Sequence, residues 1–127
     1  MENTKRAAVV TGGSRGIGRA ICLALADKGM NVAVNYAGNE AAAQETVAAC
    51  KARGVDAIAV KGDVSDGAAA DALMDIAKEA FGRIDVLVCN AGITRDGLIM
   101  RLSEEDFDAV VDTNLKGTFL CMKTVSK

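Results

Sequence analysis

The sequence contains no histidine, no proline and no tryptophan, and its 4 cysteines lie far apart. Without histidine or a Cys-x-x-Cys pair, the chain lacks the ligand spacing of a metal site, and we expect no bound metal. Without proline or low-complexity segments there is no sign of a linker, so the 127 residues are expected to form at most one domain. Each cysteine lies in an apolar helix or strand pattern, which predicts buried free thiols at Cys22, Cys50, Cys89 and Cys121.

The sequence also has little net charge and no long apolar run. The formal net charge of −2 excludes the basic surface field that is typical of nucleic-acid-binding proteins. No apolar run approaches the ~20 residues of a membrane-spanning helix. Residues 1–6 lead directly into a predicted strand and contain no apolar core of a signal peptide. These absences predict a cytoplasmic protein that binds neither nucleic acid nor membrane.

Glycine, by contrast, is concentrated where an apolar run leads into a helical pattern. The stretch reads Ala7-Ala8-Val9-Val10-Thr11-Gly12-Gly13-Ser14-Arg15-Gly16-Ile17-Gly18. It predicts a strand, a glycine turn and a helix. A helix N-terminus presents unpaired N–H groups and the positive end of its dipole, so a diphosphate can bind there if no Cβ blocks the backbone. The alternative is a glycine-rich turn that binds nothing.

Two common phosphate-binding motifs do not fit this turn. The Gly-x-Gly-x-x-Gly pattern of many dinucleotide-binding proteins does not occur in it. Gly13 and Gly18 have the spacing of a triphosphate-binding P-loop, but Arg19 and Ala20 follow where that motif requires Lys and Ser or Thr. The pattern that remains is Thr11-Gly12-x-x-x-Gly16-x-Gly18.

The rest of the chain continues the alternation of strand and helix. Further strands are predicted at residues 31–35, 56–61 and 84–89. Helices are predicted over residues 40–53 and from a cap at Ser65 or Asp66 to Gly82, and a last helix follows Ser103. Because no hairpin signal joins neighbouring strands, we predict an α/β fold with a doubly wound parallel sheet of the Rossmann type.

Periodicity also predicts which side chains the third helix and the fourth strand bury. The unbroken run Val86-Leu87-Val88 indicates a strand that is buried on both faces. The apolar face of the third helix is predicted to consist of Leu73, Ile76, Ala77 and Ala80.

Polar or glycine residues follow three of the predicted strands. The glycine turn follows the first strand, Asp63-Val64 the third, and Asn90-Ala91-Gly92 the fourth. In a doubly wound sheet, ligands bind outside the carboxyl ends of the strands. The sequence therefore predicts that these three segments share one binding site.

The order of these motifs resembles the short-chain dehydrogenase/reductase family. Thr11-Gly12-x-x-x-Gly16-x-Gly18 is followed by Asp63-Val64, by Asn90-Ala91-Gly92 and by Asn114 in a helical segment, as in that family. Residues 14–18 and 90–96 are most similar to the 3-oxoacyl-[acyl-carrier-protein] reductases. The similarity covers all 127 residues, but only the first half of such an enzyme.

The resemblance implies a nucleotide site and one catalytic residue. It implies that the glycine turn and the helix after it hold the pyrophosphate side of the cofactor through Gly12, Ser14, Arg15, Gly16, Ile17 and Gly18. Asp63 would accept a hydrogen bond from the adenine amino group, and the Val64 N–H would reach a ring nitrogen. Asn90, Ala91 and Gly92 would line the ribose near the nicotinamide. Asn114 matches the family's catalytic asparagine, which anchors a water in a proton relay. Taken alone, Asp63 also suits a helix cap, and Asn114 a helix kink.

Two features of the sequence favour NADP(H) over NAD(H) as the cofactor. An NAD site usually has a carboxylate after the second strand, to bind the ribose 2′-hydroxyl, whereas residues 35–39 contain none. Arg15 lies in the glycine turn, where a guanidinium can bind a 2′-phosphate. The alternative is that Arg15 is a solvated turn residue.

The family's remaining catalytic residues are not found in this sequence. The resemblance implies a Ser, and a Tyr followed four residues later by Lys. The Tyr protonates the carbonyl oxygen as hydride arrives, and the Lys together with the nicotinamide ribose lowers the pKa of the Tyr. The only tyrosine is Tyr36, and Glu40 stands four residues after it. Residues 1–127 are therefore expected to be the NADP-binding part of a longer enzyme, without the C-terminal catalytic and substrate part, and to be inactive alone.

The resemblance further implies what the whole enzyme does. It would transfer hydride from NADPH to a 3-oxoacyl thioester carried by acyl-carrier protein, in fatty acid biosynthesis, and would be a homotetramer. One alternative is a short-chain reductase for acetoacetyl-CoA, a sugar or a steroid. Another is a stand-alone nucleotide-binding half-domain without catalysis.

Overall fold

The computed structural model of the chain describes residues 5–14 and 16–91. Within them, strands and helices alternate in the order β1 (Ala7–Thr11), α1 (Gly16–Asp27), β2 (Asn31–Tyr36), α2 (Glu40–Lys51), β3 (Ala57–Lys61), α3 (Gly67–Phe81) and β4 (Val86–Cys89). Each element lies where the sequence predicts one, and its ends differ from the prediction by a few residues at most. The prediction that the fourth strand is buried on both faces is wrong, because all four residues of β4 are only partly buried at the edge of the described sheet. The helix predicted after Ser103 lies outside the described residues.

The strands form one parallel sheet in the order β3-β2-β1-β4. Val9 of β1 lies opposite Ala33 of β2 on one side and Leu87 of β4 on the other. The chain therefore winds outward from β1 through β2 to β3, and then returns across β1 to form β4. This reversal beside β1 defines the doubly wound, Rossmann-type sheet that the sequence predicts, and its carboxyl edge is where such sheets bind ligands.

Helices cover both faces of the sheet and create two apolar cores. One core lies under α3 and includes Val9 and Ala33 of the central strands. The other lies under α1 and α2 and includes Val10 and Val34. Successive side chains of a strand point to opposite faces. Because helices cover both faces, β1 and β2 are buried along their whole length, which explains the apolar runs at residues 7–10 and 32–34.

The helix ends are determined by side-chain caps and a glycine. Asn39 accepts a hydrogen bond from the Ala42 N–H at 3.0 Å and caps α2. Asp66, rather than Ser65, caps α3, because its carboxylate accepts from the Ala68 N–H at 3.0 Å. Gly82 ends α3 in the left-handed conformation, with φ of 78°. Among the helices in residues 5–14 and 16–91, none is long and apolar enough to cross a membrane.

The predicted buried face of α3 is partly wrong. Leu73 and Ala77 are buried as predicted, but Ile76 is 43% exposed and Ala80 is also exposed. Since each residue advances about 100° around a helix, Ile76 lies well away from the buried stripe. The large side chains of Met74 and Phe81 fix the rotation of the helix instead, and the residues that α3 buries are Ala70, Leu73, Met74, Ala77 and Phe81.

Two of the four cysteines are buried as predicted. Cys22 and Cys50 are fully buried and free, whereas Cys89 is only half-buried because β4 lies at the edge of the described sheet. Cys121 lies outside the described residues. Burial raises the pKa of the Cys22 thiol from 9.0 to about 12, and the neighbouring Cys50 adds to this shift. Burial also raises the pKa of Cys50 and of Cys89.

This burial predicts an order of thiol reactivity. Only the thiolate is nucleophilic, so a buried thiol with a raised pKa reacts slowly. At pH 8 we expect iodoacetamide to modify Cys22 and Cys50 at least ~10-fold more slowly than Cys89, as followed by peptide mass spectrometry. In concentrated urea the three rates should become similar. Modification of Cys22 as fast as Cys89 in native buffer would contradict the packing of α1 against the sheet.

Candidate functional site

A cavity of about 550 Å³ opens at the carboxyl edge of the sheet. The ends of all four strands contribute to it, so the segments after β1, β3 and β4 that the sequence singles out do meet in one place. The segment after β2 forms a fourth wall. The lining residues are Gly12, Ser14, Gly16, Asn35, Tyr36, Ala37, Gly38, Asn39, Gly62, Asp63, Val64, Asn90 and Ala91.

The glycine turn brings the open N-terminus of α1 to this cavity. Gly12 and Gly16 have φ values of 66° and 61°, a backbone conformation that residues other than glycine rarely adopt. Apart from the chain neighbours of Gly16 and the backbone of α1 itself, no heavy atom of the described residues lies within 4 Å of where a Cβ on Gly16 would be, so these residues leave the start of the helix uncovered. No acidic side chain occupies the first turn of α1. The helix end therefore offers N–H groups and a positive dipole to an anion.

Gly18 allows α1 to pack directly on the turn that precedes it. A Cβ at this position would collide with the Gly12 carbonyl and with the side-chain amide of Asn90. Its role is thus close helix packing, and it is not among the residues that line the cavity. The preceding residue, Ile17, projects into solvent with 75% of its surface exposed.

Thr11, the first residue of the glycine motif, has no predicted role of its own, and in the structure it holds the ends of β1 and β4 together. Its hydroxyl accepts hydrogen bonds from the N–H groups of Asn90 and Ala91 at 2.9 and 3.0 Å. The Asn90 side chain donates to the Gly12 carbonyl at 3.0 Å. The Asn90 turn is therefore fixed to the glycine turn. The position of Thr11 at the start of the glycine motif does not by itself indicate this contact.

Asn35 is a second residue that the sequence analysis missed, having considered it only as one position without a carboxylate. It is 2% exposed, at the cavity end of β2. Its Oδ1 accepts from the Gly12 N–H at 3.3 Å, and its Nδ2 donates to the carbonyls of Val60 and Gly62 at 3.2 and 3.1 Å. One side chain thus contacts both the glycine turn and the end of β3.

Asp63 and Val64 form the wall after β3. The Asp63 carboxylate accepts from the Ser65 N–H at 3.0 Å and from its hydroxyl at 2.7 Å. Because Asp66 caps α3, Asp63 does not have the helix-capping role that its position alone also suits. Val64 is 4% exposed and packs in the core under α3, which anchors this wall.

The glycine turn is also held from α2. The hydroxyl of Thr46 lies 3.0 Å from the carbonyl oxygen of Ser14 and 3.2 Å from that of Ala42, both within hydrogen-bonding distance. Thr46 is fully buried, so this contact fixes the turn immediately before Arg15. Arg15 itself, Gly92 and Asn114 lie outside the described residues, and their roles stay predictions.

The described walls of the cavity carry almost no charge. Asp63 is the one charged residue among them, and the remaining polar groups are backbone, amides, hydroxyls and the buried Tyr36. Within residues 5–14 and 16–91, no group of three potential ligands could hold a metal ion. Such a site suits a ligand that combines an anionic group near α1 with neutral hydrogen-bonding groups.

Comparison with known proteins gives one family. The sequence profile of the short chain dehydrogenase family matches residues 6–127. A 3-oxoacyl-[acyl-carrier-protein] reductase FabG of Staphylococcus aureus is 52% identical over 123 residues, which are 97% of this chain and 50% of that protein. A 3-oxoacyl-[acyl-carrier-protein] reductase of Synechocystis sp. is 53% identical over 124 residues, 98% of this chain and 50% of the relative. The chain thus spans about half the length of the curated relatives it matches.

Solved structures of short chain dehydrogenases have the same fold as this chain. A short chain dehydrogenase from Burkholderia cenocepacia, in complex with NADP, superposes with a TM-score of 0.92 at 42% identity and covers 96% of this chain and 49% of its own. One from Mycobacterium avium superposes with a TM-score of 0.89 at 43% identity, covering 95% of this chain and 44% of its own. The motif order, the sheet and these matches agree, and the chain belongs to the short-chain dehydrogenase/reductase family.

Proposed function

We propose that this chain is the cofactor-binding part of an NADPH-dependent 3-oxoacyl-[acyl-carrier-protein] reductase. The observation that carries the proposal is the uncovered N-terminus of α1, where Gly12 and Gly16 have positive φ and face a cavity shared with the ends of β3 and β4. Helix N-termini of this form bind the pyrophosphate of dinucleotides. The related structure from Burkholderia cenocepacia contains NADP.

The residues around the cavity fit such a cofactor. Gly12, Ser14 and Gly16 line the cavity, and at Gly16 the missing Cβ leaves open space in which a pyrophosphate could approach the backbone. Ile17 and Gly18 belong to the same segment, Ile17 as an exposed contact and Gly18 as the packing position beneath it.

The adenine and nicotinamide ends are assigned to the other walls. Asp63 would accept from the adenine amino group and the Val64 N–H would donate to a ring nitrogen. Asn90, Ala91 and Gly92 would line the second ribose. A single carboxylate at the adenine end and none in the first turn of α1 agree with an anion at α1 and a hydrogen-bond donor at Asp63.

Cofactor choice follows from the wall after β2. Tyr36, Ala37, Gly38 and Asn39 offer no carboxylate to a ribose 2′-hydroxyl, and the Asn39 side chain is engaged in capping α2. Arg15 follows Ser14, whose carbonyl is held by Thr46. We assign Arg15 to the 2′-phosphate of NADPH, since a guanidinium binds phosphate in a paired geometry.

The chain's own residues bind and orient, and the bound cofactor would supply the hydride. Tyr36 is buried at the end of β2 and is followed by Glu40, so it does not provide the tyrosine and lysine pair that the resemblance implies. Asn114 is assigned to the proton relay. The 3-oxoacyl thioester on acyl-carrier protein, the role in fatty acid biosynthesis and the homo-oligomeric state are proposed from the relatives' names and the family resemblance.

The first test measures cofactor preference. Titration should give tighter binding of NADPH than of NADH, and Arg15→Ala should weaken NADPH alone by about tenfold or more, as expected for a lost hydrogen bond to a charged group. Arg19→Ala is the matched control, because Arg19 pairs with Glu45 at 3.7 Å on the outside of α1 and α2. If Arg15→Ala weakens the binding of NADPH and of NADH equally, the assignment of Arg15 to the 2′-phosphate is wrong.

A second test separates binding from catalysis. Because residues 1–127 contain no Tyr-x-x-x-Lys, we expect them alone to give no NADPH oxidation with acetoacetyl-CoA. The measurement is absorbance at the NADPH band against a control without protein, using material free of host reductases. Turnover above that control would mean that another acid in this sequence can protonate the carbonyl oxygen.

A further inference from the structure

We propose that Asn35 is a positioning residue that makes the two sides of the nucleotide cavity form together. Its single side-chain amide joins the glycine turn to the end of β3. The inference deepens the proposed function and rests on it, because its consequence is expressed as nucleotide affinity. No contact between Asn35 and the cofactor is required, since Asn35 acts through the backbone groups it holds.

On one side, Asn35 holds the glycine turn. The parallel pairing of β1 with β2 ends at Val10 and Val34. Beyond it, the Gly12 N–H donates to Oδ1 of Asn35 at 3.3 Å, and the Gly13 N–H donates to the Asn35 backbone carbonyl at 3.0 Å. One residue therefore accepts the first two N–H groups of the turn, and it fixes the direction in which the turn leaves the sheet.

On the other side, Asn35 holds the end of β3. Nδ2 of Asn35 donates to the carbonyls of Val60 and Gly62 at 3.2 and 3.1 Å, and the Gly62 N–H donates to the Tyr36 carbonyl at 2.9 Å. Gly62 immediately precedes Asp63, which is assigned to the adenine end. The amide thus fixes the backbone from which the adenine contacts project.

The chemistry requires asparagine at this position. The side chain is 2% exposed, so both N–H donors and the acceptor must find protein partners. Aspartate has the same shape but no donor, and it would set an oxygen against two carbonyls. An apolar side chain would remove the hydrogen bonds that the Asn35 amide makes to the Gly12 N–H and to the carbonyls of Val60 and Gly62. Either change loosens both walls of the cavity, and the nucleotide must then reorder them on binding, which lowers its apparent affinity.

The test compares Asn35→Asp with Asn31→Asp. Asn31 lies on the same strand, is 3% exposed, and accepts from the Asp56 N–H at 2.9 Å, but it is at the opposite end of β2 from the cavity. Both substitutions replace a buried amide by a carboxylate, so a general loss of stability affects both. Two measurements are made on each variant and on the wild type: amide hydrogen exchange without nucleotide, and calorimetric affinity for NADPH and for adenosine 2′,5′-bisphosphate.

With Asn35→Asp we expect exchange at the Gly12 and Gly62 amides to accelerate at least ~10-fold, while Val9 in the middle of β1 keeps its protection. Both nucleotides should bind about tenfold more weakly, because each needs the ordered adenine wall. Asn31→Asp should leave both affinities within about twofold of the wild type. If Asn35→Asp does not fold, Asn35→Ala is measured in the same way, with the same expectation.

Three results would overturn the proposal. These are affinities within twofold of the wild type for Asn35→Asp, equal losses for both variants, and weakening of NADPH with unchanged binding of adenosine 2′,5′-bisphosphate, which would limit Asn35 to the glycine turn. The proposed function fails separately, if the wild-type protein binds neither nucleotide. In that case the exchange rates at Gly12 and Gly62 still decide whether Asn35 joins the two walls.

Discussion

The site depends on how the central strand β1 ends. Both neighbours of β1 are strands, so its backbone is fully paired until the chain turns away from the sheet, and the next polar groups then need new partners. Asn35 accepts hydrogen bonds from the N–H groups of Gly12 and Gly13. The Asn90 side chain donates to the Gly12 carbonyl, and the Thr11 hydroxyl accepts from the N–H groups of Asn90 and Ala91. The turn is therefore held from its flanks, and its outer side and the start of α1 stay open to a ligand.

Much of this fold follows from local sequence. Strands buried on both faces need apolar side chains on both faces, and residues 7–10 and 32–34 provide them. Glycine turns, helix caps and the absence of hairpin signals then imply a parallel sheet, and a parallel sheet brings its strand ends to one edge. For this reason the sequence alone predicts that the glycine turn, Asp63-Val64 and Asn90-Ala91 share one binding site.

The remaining features depend on contacts between distant residues. Thr11 meets Asn90 across 79 positions and Asn35 meets Gly62 across 27, and neither polar residue differs in sequence from an ordinary strand-end residue. The rotation of α3 was wrong for Ile76 because several rotations bury similar numbers of apolar residues, and only the fit of Phe81 against the sheet selects one. Local sequence patterns predict where a site lies. The hydrogen bonds that hold its walls together can be predicted only when the neighbours of each strand are known.

The way the cavity is built also separates binding from proton transfer. Its described walls consist of backbone N–H groups, amides and hydroxyls with one carboxylate, Asp63, and the whole sequence has no histidine, the side chain that ordinarily titrates between pH 5 and 8. Burial raises the pKa of Cys22, Cys50 and Cys89, which keeps these thiols neutral in that range. The described walls of the cavity therefore contribute neither a histidine nor a reactive thiolate to a bound ligand. In the proposed reductase, the pH dependence would then arise outside these walls, from the proton donor and from the 2′-phosphate of the cofactor.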